Sequence, residues 1–121
     1  MIHVQGLGVD YGSETALDNI NLDIPRNTSC AVIGPSGCGK TTLIYALAGL
    51  LTPTRGRIII DGEELKGVRK KTGVILQDGG LLPWKTVLKN TVLGLKAAGL
   101  GSKESEEKAQ RALEELGISE H

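Results

Sequence analysis

Phenylalanine is absent from this sequence, and one tryptophan and two tyrosines are its only aromatic residues. A core without large rings must be assembled from Val, Ile, Leu and Ala, which frees the few aromatics for specific work. Cysteine is limited to Cys30 and Cys38. Cys30 lies in an apolar, strand-like run, where a small buried hydrophobe is the ordinary reading; Cys38 lies inside a glycine-rich loop. Their spacing suits neither a metal site nor a redox pair, so a reducing cytosol is expected. Excess charge of either sign is missing too, since 14 basic and 14 acidic residues cancel. That excludes a general basic field for nucleic acid and leaves anion binding to local arrangements. No uncharged apolar run approaches the ~18 residues of a membrane helix, and the N-terminus lacks a signal-peptide pattern. Any work at a membrane is expected to go through partners.

Glycine is plentiful, 17 in 121 residues, and clusters where loops are expected. Ile2–Tyr11 reads as a strand that turns at Gly12-Ser13. Ala16–Ile24 alternates Leu17, Ile20, Leu22 and Ile24 with Asp18, Asn21 and Asp23, the period of a half-buried strand, and predicts an antiparallel hairpin with the first. Pro25-Arg26-Asn27 ends it. Ser29–Ile33 and Gly73–Leu76 are short and apolar, as buried parallel strands would be. Thr41–Leu51 carries Leu43, Ile44, Leu47, Leu50 and Leu51 at helical spacing, and Arg57–Ile60 reads as a strand turning at Asp61-Gly62. A helix is expected near Val87. Another should start at a Ser102 cap, with Glu104 and Glu106 at its positive end, Ala109, Ala112, Leu113 and Leu116 on one face, and Gly117 at its end.

Gly34-Pro35-Ser36-Gly37-Cys38-Gly39-Lys40-Thr41 satisfies every defined position of G-x-x-x-x-G-K-[ST], with an apolar run before it and an apolar-faced helix after it. Glycines let such a backbone curl until successive N–H groups point inward and cradle phosphate oxygens. The following helix adds unpaired N–H groups and the positive end of its dipole. Lys40 is placed to meet the β and γ phosphates, and Thr41 offers an oxygen ligand to Mg²⁺. The pattern indicates a nucleotide phosphate site; it does not by itself specify ATP, transport or hydrolysis.

Further runs narrow the class. Tyr11-Gly12, Ala16-Leu17-Asp18-Asn19-Ile20, Pro35 through Leu43, Pro53-Thr54-Arg55-Gly56-Arg57-Ile58 with Asp61-Gly62, and Val74-Ile75-Leu76-Gln77-Asp78 follow one another in an order that resembles the opening of an ABC-transporter ATPase domain. The resemblance covers nearly all 121 residues. It implies an α/β fold, a partial P-loop NTPase core: an antiparallel β portion over 1–28, the P-loop core with its Q-loop over 29–86, and the start of a helical subdomain over 87–121. It implies ATP and Mg²⁺ as ligands, with Gly34, Ser36, Gly37, Cys38, Gly39, Lys40 and Thr41 around the phosphates and Thr42 at the α phosphate. Tyr11 matches the aromatic that stacks on adenine, the alternative being a core aromatic at a strand end. Gln77 matches the residue that approaches Mg²⁺ and the attacking water and links the site to the membrane partner, the alternative being a solvated loop glutamine. Leu81-Leu82-Pro83-Trp84-Lys85-Thr86-Val87 resembles importers of the nitrate, sulfonate and taurine type. Trp84 suits either a permease interface or a cover for the core. His3 and His121 have no partner set and are expected at the surface.

The resemblance also implies a longer domain, with a Leu-Ser-Gly-Gly-Gln type signature following these residues. A Walker B aspartate, its neighbouring general-base glutamate and a switch histidine are not found, and no apolar run ends in Asp-Glu. Little or no hydrolysis by this chain alone is therefore expected. The implied partners are transmembrane permease subunits and a second ATPase subunit, with no nucleic acid and a peripheral position on the inner face of the membrane. Unpaired edges of Ser29–Ile33 and Gly73–Leu76 predict self-association. Three alternatives remain: a soluble ABC ATPase of DNA repair or translation, a small P-loop kinase, and a fragment with little nucleotide binding. The kinase would need a substrate-binding insertion and an Arg-rich lid, neither visible between Leu50 and Gln77.

Overall fold

The computed structural model describes residues 1–118. His121 therefore lies outside the described residues. The chain forms two compact units, Met1–Val74 and the part from Ile75 onward.

In the first unit, β1 (Ile2–Tyr11) and β2 (Glu14–Ile24) form the expected antiparallel hairpin. β3 (Arg55–Ile60) adds to the other edge of β1, and β4 (Glu63–Glu64) to β3, giving the order β2-β1-β3-β4. β3 and β4 are joined by Asp61 and Gly62 at φ 54° and 87°, the two left-handed residues that a tight hairpin turn needs. Helix α1 (Lys40–Leu47) lies over this sheet. Val4, Leu7, Val9, Leu17, Leu43, Ala46, Ile58 and Ile60 form the core, all aliphatic as the composition requires.

β1 does not alternate strictly, because Val4, Leu7 and Val9 are all buried. Its pairing with β2 slips between Val4 and Leu7. There Gly6 takes φ 57° and donates its N–H to Asn21 Oδ1 at 2.9 Å. A bulge inserts one residue and so shifts the phase, keeping the next apolar side chains on the core face. Each fully buried Leu or Val contributes about 1.5–3 kcal/mol through apolar burial.

Several expectations change. Ser29–Ile33 and Gly73–Leu76 are not strands, and Ile33 and Ile75 are 91% and 92% exposed. All strand pairs among the described residues are antiparallel. A parallel strand needs a neighbour to accept its slanted hydrogen bonds, and the described residues supply none. α1 stops at Leu47 because Gly49 turns to φ 74°, leaving Leu50 half-exposed. Cys30 is exposed rather than buried. His3 has a partner after all: it is half-buried, with Nδ1 2.5 Å from Asp23 Oδ1.

The second unit contains α2 (Val87–Ala97) and α3 (Ser102–Glu115), which pack together and bury Val92, Ser105, Ala109 and Leu113. Thr86 caps α2, its hydroxyl accepting from the Lys89 amide at 3.3 Å. Asn90 staples the preceding turn: Oδ1 accepts from the Leu82 amide at 2.8 Å, and Nδ2 lies 3.1 Å from the carbonyls of Leu82, Lys85 and Thr86. Ser102 does not cap α3; Gly101 does, without a side-chain bond, and Ser102 is the first helical residue. Ala112 and Leu116 are exposed, so the buried stripe is narrower than the spacing suggested.

Candidate functional site

The loop ahead of α1 turns through Gly37 at φ 80° and Gly39 at φ 91°. Glycine is required twice over at position 39. Besides its left-handed backbone, a Cβ there would lie 2.7 Å from the Ala16 carbonyl oxygen and 2.8 Å from Leu17 Cδ2. The end of the loop is thus docked on β2. Leu43 donates its amide to the Gly39 carbonyl at 2.9 Å and buries its side chain in the core with Leu17, which anchors the start of the helix.

Lys40 curls back over the loop it follows. Its Nζ donates to the carbonyls of Gly34 at 2.8 Å and Pro35 at 2.5 Å and lies 3.6 Å from Cys38 Sγ. A Cβ on Gly34 would come within 2.8 Å of that sulfur. The first turn of α1 carries no acidic residue, so no carboxylate competes for its unpaired N–H groups. A glycine-built loop, a helix N-terminus and an ammonium held over the loop fit a polyphosphate. Thr41 is exposed in the first turn, where its hydroxyl suits a hard cation, and Thr42 beside it is half-buried.

Tyr11 belongs to the same unit. It ends β1, pairs with Glu14 across the hairpin turn and is 52% exposed, so it is not a core aromatic. The residue before it carries a network that sequence reasoning missed. The Asp10 carboxylate accepts from Thr15 Oγ1 at 2.8 Å, Thr54 Oγ1 at 2.9 Å, and Arg55 at 2.9 and 3.4 Å. These hydroxyls, and after them the guanidinium, hold its carboxyl below the usual carboxylate range against an opposing effect of desolvation. Arg55 also reaches Asp18 Oδ1 at 3.1 Å. In the sequence the run from Pro53 to Ile58 stood out only as part of the family resemblance, because nothing local says which carboxylate a surface arginine will meet.

Gln77 lies in an exposed turn of the second unit. Leu81 and Trp84 are 70% and 76% exposed, so Trp84 does not cover a core. A cleft of about 330 Å³, lined in part by Gly49, Arg57, Glu64 and Lys66, shares no residue with the loop.

The fold and the loop define the class, a P-loop nucleotide-binding domain. The family model for the ABC transporter matches residues 17–121, and the chain belongs to that family. An uncharacterized ABC transporter ATP-binding protein of Methanocaldococcus jannaschii is 47% identical over 103 residues, covering 85% of this chain and 39% of that protein. The taurine import ATP-binding protein TauB of Yersinia pestis is 38% identical over 119 residues, covering 98% and 47%. Among solved structures, a dimeric ATP-binding cassette in a post-hydrolysis state, bound to ADP and Pi, superposes with a TM-score of 0.80 at 28% identity, over 94% of this chain and 56% of that one. CbiO1 of Clostridium perfringens, part of the ABC transporter complex cbiONQ, gives 0.76 at 28% identity, over 97% and 50%. The chain spans about half the length of the curated relatives it matches or less.

Proposed function

We propose that this chain is the ATP-binding part of an importer's energy-coupling subunit, with Mg-ATP held by the loop at Gly34–Thr42. The observation that carries the reading is the Lys40 ammonium poised over a glycine loop at a helix N-terminus free of carboxylates. Gly34, Ser36, Gly37, Cys38 and Gly39 would surround the phosphates with backbone N–H groups, Lys40 would neutralise the β and γ oxygens, and Thr42 would meet the α phosphate. Thr41 would hold Mg²⁺, which supplies charge neutralisation at the phosphates when bound, and Gln77 would serve as the Q-loop glutamine. Tyr11 would stack on the adenine ring. Functionally, 1–28 serves as the β portion, 29–86 as the P-loop core with its Q-loop, and 87–121 as the start of a helical subdomain.

The importer assignment draws on likeness to TauB and on the run from Leu81 to Val87. Transmembrane permeases and a second ATPase subunit are the proposed partners, Trp84 offering the former an exposed aromatic anchor. No helix among the described residues is long and apolar enough to cross a membrane, so attachment at the inner face would go through the permease. These 121 residues bind nucleotide without turning it over. Purified chain incubated with Mg-ATP should release no phosphate above the Lys40→Ala background; steady release that Lys40→Ala abolishes would contradict this.

A second reading is favoured by the exposed, unpaired Ser29–Ile33 segment. Without a strand to brace its upstream leg, the loop holds nucleotide only weakly, and Ile33 and Ile75 drive self-association. Light scattering showing a monomer at all concentrations would count against that association.

A further inference from the structure

We infer that Arg55 is a positioning residue for nucleobase recognition, holding the Asp10–Thr15 turn so that Tyr11 presents its ring to adenine. This rests on the reading of Tyr11 as a base-stacking residue. The guanidinium joins three elements: it sits at the start of β3, pairs with Asp10 of β1 at 2.9 Å and with Asp18 of β2 at 3.1 Å. Thr54 adds a second tie from the same run, its hydroxyl reaching Asp10 at 2.9 Å and the Gly8 carbonyl at 3.1 Å, and its amide reaching that carbonyl at 2.9 Å. Thr15 closes the turn from the other side at 2.8 Å. Asp10 is therefore held from both flanking strands, and Tyr11 is its covalent neighbour.

Gly8 shows that the space is shaped for this arginine. A Cβ at Gly8 would lie 2.7 Å from Arg55 Nε, 3.0 Å from Nη2 and 3.1 Å from Cζ, and these are the three nearest atoms it would meet. The guanidinium lies close to bare backbone and reaches two carboxylates in different strands. A flexible ammonium cannot reproduce that fork. The same hairpin docks the phosphate loop, because the Ala16 carbonyl packs on Gly39. Phosphate and base recognition thus share one support, and the Asp10 contact ties Arg55 to its base end.

The test compares Mg-ATP with Mg-tripolyphosphate, which keeps the phosphates and lacks the base, on the full chain. Tyr11→Ala should weaken ATP about tenfold, the scale of one lost base stack, and leave tripolyphosphate unchanged. Arg55→Ala should do the same, and adding it to Tyr11→Ala should cost nothing further. Gly8→Ala, which displaces the guanidinium and keeps both side chains, should reproduce the ATP-selective loss if Arg55→Ala proves too unstable. A base-selective loss in Tyr11→Ala alone would overturn the role of Arg55 and leave the stacking role of Tyr11 standing. Equal weakening of ATP and tripolyphosphate in the Arg55 or Gly8 variant would mark a merely structural contact and overturn it as well. An unaffected Tyr11→Ala would remove both, and a wild-type chain that binds neither probe would remove the nucleotide reading with them.

Discussion

Gly39 and Gly37 lie in one loop with similar left-handed backbones, φ 91° and 80°, yet only Gly39 is pressed against the sheet. Alanine at Gly37 would meet nothing within 4 Å, so Gly37→Ala should cost only the backbone strain, about 1 kcal/mol. At Gly39 the same strain is joined by a methyl group 2.7 Å from the Ala16 carbonyl. That oxygen belongs to β2 and cannot rotate away. Overpacking of this kind costs about 1–3 kcal/mol, which brings Gly39→Ala to about 2–4 kcal/mol. In a domain the size of the first unit, Gly37→Ala should lower Tm by roughly 5 °C and Gly39→Ala by roughly 10–20 °C. Thermal unfolding followed by far-ultraviolet circular dichroism, with urea midpoints as a check, measures both. Variants that melt within ~3 °C of each other would refute the docking of the loop on β2.

Two further outcomes rest on polar contacts elsewhere in the chain. Asp10 and Asp61 both have lowered carboxyl pKa values, Asp10 through Thr15, Thr54 and Arg55, and Asp61 through the N-terminal amine at 2.8 Å and Arg26 at 3.0 Å. A carboxyl that is more acidic folded than unfolded stabilises above its unfolded pKa of about 3.9, and the gain is lost as pH falls through the folded value. Stability should thus be level near neutrality and drop below about pH 4, with a shallower drop in Asp10→Asn; an identical acid limb in that variant would contradict the assignment. Asn90→Ala removes the acceptor of the Leu82 amide and the donor to the Leu82, Lys85 and Thr86 carbonyls, a loss of about 1–3 kcal/mol. Hydrogen exchange should speed up at Leu82; unchanged protection there would count against the staple.

Local patterns were legible where one stretch of chain decides the outcome. Leu17, Ile20, Leu22 and Ile24 announced β2 by their period, Asp61-Gly62 announced its turn, and Gly34–Thr41 announced the loop. The reading failed where a distant partner decides. Ser29–Ile33 and Gly73–Leu76 have the composition of buried strands, but composition cannot provide the neighbouring strand, and without one both stay exposed. The Asp10–Arg55 pair joins residues 45 positions apart, and no local rule links them. The β1 bulge was hidden for a related reason: Gly6 shows its purpose only once Asn21 is seen to take its amide.

Calorimetric titration of Mg-ATP into the purified chain, with Lys40→Ala alongside, tests the central claim most directly. Saturable binding by the wild-type chain that Lys40→Ala abolishes is the predicted result, since Lys40 is the cation held over the phosphate loop. Absence of binding in both, or equal binding in both, would contradict it.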